Sequence, residues 1–291
     1  MLNAVSLVDF DDGSSRGDLG QRLYRALAET GFVRLRNPRE YDFELVRAVY
    51  RAAERFFELP ETELLKLRKA ELQGERGYMP CRVEKAQGAS QPDEKRYFSV
   101  GREGDGVHAN LWPDESLLPG FSQLLRQCFS MFDRVAHDLA ASLGPLIGVP
   151  ELADGLAGGD SLWRLIHYDP LTGQEPRDAV RSHEHQDVGL LTLLPTATAA
   201  GLQIRTAAGW ADVLGGPDEL IVNCGDALEL LARAQGHRLP STVHRVVNGD
   251  GRRRISAPFF CHVRRDFVLD PGTGETEGAF LDRRLAEIIG N

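Results

Sequence analysis

The stretch Arg181–Pro195, "RSHEHQDVGLLTLLP", decides how the chain folds. It opens with His183, His185 and Asp187 and runs directly into the apolar segment "VGLLTLLP". A short apolar run bounded by polar residues and closed by proline suits a buried strand. Metal-ligating side chains stand at its mouth. In extended backbone, residues i and i+2 share a side, so the imidazole of His185 and the carboxylate of Asp187 face the same way. His183 has the same parity and competes for the same role.

Similar short runs fill the second half of the chain: "SLWRLIHY" (161–168), "GLQIRT" (201–206), "WADVL" (210–214), "ELIVNCG" (219–225), "HRVVN" (244–248) and "RRISAPFFCHV" (253–263). Regular short strands separated by glycine-containing turns predict an antiparallel sandwich or barrel. The first half reads as helical. Leu19, Leu23, Ala26 and Leu27 form one stripe that stops at Gly31, and "FVRLRN" then alternates as a strand. Leu45, Val49, Ala52 and Phe56 form a second stripe that ends before Pro60. Leu124, Cys128, Met131, Val135 and Leu139 form a third, in a helix from about residue 119 to 143. Residues 73–116 read as irregular, and "FLDRRLAEIIGN" closes the chain as a helix. No repeat and no linker breaks the pattern. We therefore expect a single domain over 1–291: a helical part over 1–150, a mainly β core over about 160–270, and a C-terminal helix over 279–290.

Composition narrows the function. The net charge of −9 argues against nucleic acid, whose phosphates want a basic face. Cys81, Cys128, Cys224 and Cys261 are widely spaced and lack the paired pattern of a zinc ribbon, so buried free thiols in a reducing cytoplasm are expected. The N-terminal residues carry no basic-then-apolar leader, and no run of about eighteen apolar residues suggests a membrane span. A small-molecule substrate is expected, with no nucleic acid or membrane partner. The oligomeric state is not readable.

A second histidine, His244, heads another strand-like run. Two imidazoles and one carboxylate on one side of an ion leave its other positions open, the arrangement of non-haem Fe(II) oxygenases. Zinc would accept the same atoms, with or without His183. Ten residues past His244, Arg254 and Ser256 share one face of a largely apolar strand. A guanidinium and a hydroxyl together clamp a carboxylate, and an inward arginine is costly without an anion. A structural salt bridge is the alternative.

These segments resemble the isopenicillin N synthase-like family of Fe(II)- and 2-oxoglutarate-dependent oxygenases. "HQDVGLLTLL" is similar to that family's H-x-D-x-G-x-L-T-L-L segment, and "STVHRVVNGDGRRRIS" to its H-R-V…R-x-S segment. "LIHYDP" resembles the segment that ends in Tyr-Pro, with two departures: Asp169 intervenes before Pro170, and Ile166 stands where asparagine is frequent. "LAETGFVRL" resembles the family's N-terminal helix-to-strand passage, and "RGYMP", "SVGRE" and "LWPDE" a bacterial branch. The resemblance implies a double-stranded β-helix (jelly-roll) core. It implies His185, Asp187 and His244 as ligands of Fe(II), with His183 outside the set. It also implies Arg254, Ser256 and Tyr168 around 2-oxoglutarate, with O2 as the oxidant and succinate and CO2 as by-products. A carboxylate ligand leaves no vacancy for chloride, which points to hydroxylation or a related oxidation. Three readings compete: a 2-oxoglutarate-dependent dioxygenase, an oxidase of the same family acting directly on its substrate, and a zinc-binding jelly roll. Tyr78, Arg82, Arg96 and Arg164, together with Lys95 and Arg102, are the candidates for substrate contact.

Overall fold

The computed structural model describes residues 5–10, 15–83, 91–104, 108–173 and 180–289. Strand β1 (Leu7–Asp9) leads into helix α1 (Arg16–Thr30), whose first turn is capped by the Ser15 hydroxyl, accepting from the Asp18 N–H at 3.2 Å. Gly31 ends α1 in the left-handed region at φ 71°, where a side chain would also meet the Pro240 carbonyl. The chain leaves as β2 (Phe32–Arg36), parallel to β1. Helix α2 (Phe43–Phe57) is capped by Asp42, and the short α3 (Glu61–Leu64) follows Pro60.

The region read as irregular contains two strands, β3 (Gly77–Met79) and β4 (Arg96–Gly101). Residues 97–101 of β4 are buried, so the strand does not alternate apolar with polar, and that alternation is what a strand facing water on one side would show. Helix α4 (Phe121–Leu143) buries Phe121, Leu125, Cys128, Phe132, Val135, Leu139 and Leu143 along one stripe, and α5 (Leu152–Leu156) packs against it.

The second half supplies β5 (Leu162–Tyr168), β6 (Ser182–His185), β7 (Leu191–Pro195), β8 (Leu202–Thr206), β9 (Gly209–Asp212) and β10 (Glu219–Cys224). Helix α6 (Asp226–Ala234), absent from the sequence reading, interrupts them before β11 (His244–Val246), β12 (Arg254–Ser256) and β13 (Phe259–Cys261). A hairpin of β14 (Val268–Asp270) and β15 (Glu275–Thr276) leads into α7 (Glu277–Ile289).

Two sheets result. The larger runs β1-β2-β10-β7-β13-β5-β4-β3, with β12 also paired to β5, and the smaller runs β6-β11-β8-β9. β12 and β13 are one strand broken at Ala257–Pro258, both halves antiparallel to β5. The sheets close as a jelly roll. Phe32, Leu194 and Ile221 of the larger sheet meet Leu202 and Ile204 of the smaller between them. The outer face of the larger sheet is covered by α1, α2 and α4. There Phe132 stacks on Phe259 at 5.4 Å and lies 5.4 Å from Trp163, all within a continuous core. Cys128, Cys224 and Cys261 are buried free thiols, and burial pushes all three above the ordinary thiol range; Cys81 is half-buried.

Candidate active site

β6 ends on His185 and β11 begins on His244, and the two are register partners across the antiparallel pair. Their ring centroids lie 4.2 Å apart. Asp187, two residues beyond β6, brings Oδ1 to 3.9 Å from His185 Nε2 and 3.8 Å from His244 Nε2. The three ligand atoms lie within 4.8 Å of one another, the one such group among the described residues.

Each side chain is held by its other end. His185 Nδ1 is 2.7 Å from the His183 carbonyl, and His244 Nδ1 is 3.1 Å from the Thr242 carbonyl. A carbonyl only accepts, so both Nδ1 atoms carry the proton and both Nε2 lone pairs are free. Asp187 Oδ2 accepts from Thr192 Oγ1 at 2.6 Å and from Asn223 Nδ2 at 2.8 Å, leaving Oδ1 toward the histidines. Burial would raise the Asp187 pKa. The two imidazoles and the two hydrogen bonds outweigh it and hold the carboxyl below its usual range. Desolvation, with the neighbouring His244, holds His185 below the ordinary imidazole range, so it is neutral at pH 7. Two ring nitrogens and one carboxylate oxygen that converge on one point suit a divalent first-row metal with its remaining positions open.

A second group lies on the larger sheet. In β12 and β5, Arg254 pairs with Tyr168 and Ser256 with Ile166, so Arg254, Ser256 and Tyr168 share one face. All three are buried. The Arg254 guanidinium sits 5.1 Å from the Tyr168 ring centroid, and its Nε donates to the Ala199 carbonyl at 3.1 Å. Its Nη1 is buried with no hydrogen-bond partner among the described residues. A buried guanidinium with a vacant N–H is expensive, and a carboxylate from a ligand is the group that relieves it. The donor set therefore fits a small carboxylic acid beside a metal.

The substrate candidates separate by strand face. Residues paired across β4 and β5 point to the same side: Ser99 with Arg164, Tyr97 with Ile166, Arg96 with His167. Arg164, Tyr97 and Ser99 therefore lie on the Tyr168 face. The Arg164 guanidinium stacks 4.0 Å above Tyr97 and 5.7 Å from Phe260, and its Nε donates to Ser99 Oγ at 3.2 Å. Arg96 goes with His167 to the helical side, 5.6 Å over the Phe57 ring and 3.1 Å from Asp169. Tyr78 also faces the helices, beside Phe56, and its hydroxyl donates to Glu61 at 3.2 Å. Arg82 is exposed and pairs with Glu94 at 2.9 Å. Of these four candidates, then, Arg164 alone lies on the face of the site. The expectation for Tyr78 and Arg96 was off by one residue, because the face of β3 and β4 follows from their register with β5. Their neighbours Met79 and Tyr97 pack with Ile166, Tyr168 and Val246 instead. Lys95 pairs with Asp93 at 2.7 Å, and Arg102 pairs with Asp133 of α4 at 2.6 Å. His183 is tied to Asp93 through Nδ1 at 2.6 Å and through its backbone N–H at 3.0 Å, and only its carbonyl serves His185.

Sequence reasoning also missed Arg181, which lies buried with its guanidinium 5.8 Å from the Tyr168 ring centroid. A charge just before a strand reads as solvated, and only the tertiary fold buries it.

Residues 5–115 match the non-haem dioxygenase N-terminal family model named for morphine synthesis, and residues 159–263 match that of the 2OG-Fe(II) oxygenase superfamily. The 2-oxoglutarate-Fe(II) type oxidoreductase hxnY of Emericella nidulans is 30% identical over 91% of this chain and 81% of its own. A homoarginine-6-hydroxylase of Oryza sativa is 30% identical over 93% of this chain and 89% of its own. Among solved structures, a putative 2OG-Fe(II) oxygenase from Caulobacter crescentus superposes with a TM-score of 0.83 at 27% identity, covering 98% of this chain and 99% of that one. A Neurospora crassa protein crystallised with alpha-KG superposes with a TM-score of 0.84 at 25% identity, covering 97% and 95%. This chain belongs to the 2-oxoglutarate- and Fe(II)-dependent oxygenase superfamily.

Proposed function

We propose that His185, Asp187 and His244 hold Fe(II), that Arg254, Ser256 and Tyr168 seat 2-oxoglutarate, and that this dioxygenase oxidises a small-molecule metabolite. The observation that carries the reading is the convergence of three ligand atoms whose opposite ends are each already committed to the protein. With Fe(II), 2-oxoglutarate and O2 in place, the chemistry available is oxidative decarboxylation to succinate and CO2, coupled to oxidation of a substrate C–H bond.

The protein's own part is placement. The two backbone carbonyls fix the imidazole tautomers, and Thr192 and Asn223 fix the carboxylate. Arg254 neutralises the far carboxylate of 2-oxoglutarate, and the Ser256 hydroxyl donates beside it. Arg164, stacked on Tyr97, lies on the same face as Tyr168 and is the residue we assign to the substrate. An acceptor-bearing substrate of amino-acid or small-acid type fits it. Among the described residues no helix is long and apolar enough to cross a membrane. We place the enzyme in the cytoplasm, which free buried thiols suit.

The test is succinate release from the purified protein with Fe(II), 2-oxoglutarate and O2, against zinc-loaded and Arg254→Ala controls. A panel of amino acids and small acids is added in turn. Iron-dependent succinate is expected, with stimulation by the true substrate. Arg254→Ala should weaken 2-oxoglutarate by at least about thirtyfold, the low end for truncating a buried, hydrogen-bonded charge pair. Anaerobic titration of 2-oxoglutarate into the Fe(II) protein decides the case without substrate. No binding there would reject the cosubstrate and leave an oxidase that grips its substrate with Arg254.

A further inference from the structure

Arg181, immediately before β6, is 1% exposed, as buried as any arginine of a hydrophobic core could be. Its Nη2 donates to the Arg252 carbonyl, but its Nε and Nη1 are buried without a hydrogen-bond partner among the described residues. Desolvation and the nearby Arg254 charge both pull its pKa below the ordinary guanidinium value. The acid that acts on it, Asp250, is already engaged with the Arg252 side chain at 2.6 Å. Arg181 and Arg254 both approach the ring of Tyr168, at 5.8 and 5.1 Å. Two guanidiniums thus converge on one tyrosine, and together they leave three N–H-bearing nitrogens vacant.

A purely structural arginine would spend those donors on carbonyls or on an acid, because a buried N–H left without an acceptor bears its full desolvation penalty. Two like charges in one apolar site add repulsion to that cost. Both penalties disappear if the same ligand group meets both side chains. A carboxylate has two oxygens and about four lone-pair sites, enough for both guanidiniums at once. We propose that Arg181 is a second anchor for the far carboxylate of 2-oxoglutarate, so that the cosubstrate is gripped by two arginines and not by Arg254 with Ser256 alone. This rests on the assignment of Arg254 to that carboxylate.

The experiment is anaerobic titration of the Fe(II) protein with two acids: 2-oxoglutarate, and 2-oxopentanoate, which has the same chain length but lacks the far carboxylate. Wild-type protein should prefer 2-oxoglutarate. In Arg181→Met, 2-oxoglutarate should weaken by at least about thirtyfold, while 2-oxopentanoate stays within a few-fold of wild type. Arg181→Lys, which keeps the charge and loses the fork, should show a smaller loss confined to 2-oxoglutarate. It provides the same readout if the methionine variant does not fold. Equal weakening of both acids, or weakening of neither, in either variant overturns the inference and makes Arg181 structural. If wild-type protein does not distinguish the two acids, or Arg254→Ala keeps full preference for 2-oxoglutarate, the cosubstrate assignment itself is rejected and the inference falls with it. The wild type and Arg254→Ala thus report on one proposition, and the Arg181 variants on the other.

Discussion

Asp187, proposed above as a metal ligand, is oriented by its neighbours. One oxygen is bound by Thr192 and Asn223, and the other is left to the imidazoles. Removing a partner should loosen the metal without unfolding the protein. Thr192→Val keeps the shape and deletes the 2.6 Å donor. Fe(II) affinity, measured by anaerobic titration, should fall by about ten- to a hundredfold, the usual effect of deleting such a supporting group. An unchanged affinity would mean that Asp187 needs no positioning. At this scale the sequence was informative where chemistry and spacing are local. Arg254-x-Ser256 lies on one side because both residues belong to one strand, and Asp187, two residues past the end of β6, turns its carboxylate toward His185. Arg181 was illegible, since its burial depends on contacts with Arg252 and Tyr168, 71 residues ahead and 13 behind.

Strand pairing places the rest, and it was only partly readable. The periodic helices α1, α2 and α4 follow from their stripes within a residue or two. So do the bounded apolar runs that became β5, β7 and β10. β3 and β4 were hidden because buried strands lose their alternation, and the substrate face was then misjudged at Tyr78 and Arg96. Register is held by side chains as well as by the backbone ladder. Glu219 on β10 is 5% exposed and takes Arg34 and Arg36 of β2, each at 3.0 Å, along with the Gly216 N–H at 2.8 Å. Burial alone would raise its pKa, but the Gly216 amide and the two arginines more than offset this and hold it below the usual glutamate value. A depressed folded-state pKa contributes stability that is present above the unfolded value and is lost as pH falls through the folded one. Glu219→Gln should therefore cost about 2 kcal/mol at pH 7, the typical worth of hydrogen bonds to a charged group. The gap from wild type should close as the pH is lowered below about 4. Urea denaturation at several pH values measures it, and a gap independent of pH would reject the ion pairs as its cause.

In the whole molecule, the two groups proposed to hold iron and 2-oxoglutarate belong to different sheets. His185 and His244 lie on the smaller sheet, while Arg254, Ser256 and Tyr168 lie on the larger. Asp187 sits on the chain that crosses between them, and its two partners, Thr192 and Asn223, are on β7 and β10 of the larger sheet. Any ion shared by the three therefore ties the smaller sheet to the larger. Loading with metal at a hundredfold excess over its dissociation constant should stabilise the fold by about 2.7 kcal/mol, read as a rise in Tm that grows with the logarithm of metal concentration.

The pairing of His185 directly opposite His244 has a kinetic side. Among the described residues β6 is an edge strand with β11 as its one neighbour, and its ladder shifts register between His244 and Val246. Such an edge opens by fraying, at far less than the cost of global unfolding. A metal shared by both histidines would act as a latch on that edge, so the free protein should breathe there and the loaded protein should not. Amide hydrogen exchange in 182–185 and 244–246 should slow sharply on adding Fe(II) under argon, while exchange in the central strands β7 and β10 barely changes. Uniform slowing of both sets would mean that the metal stabilises the molecule as a whole and that the edge is no gate.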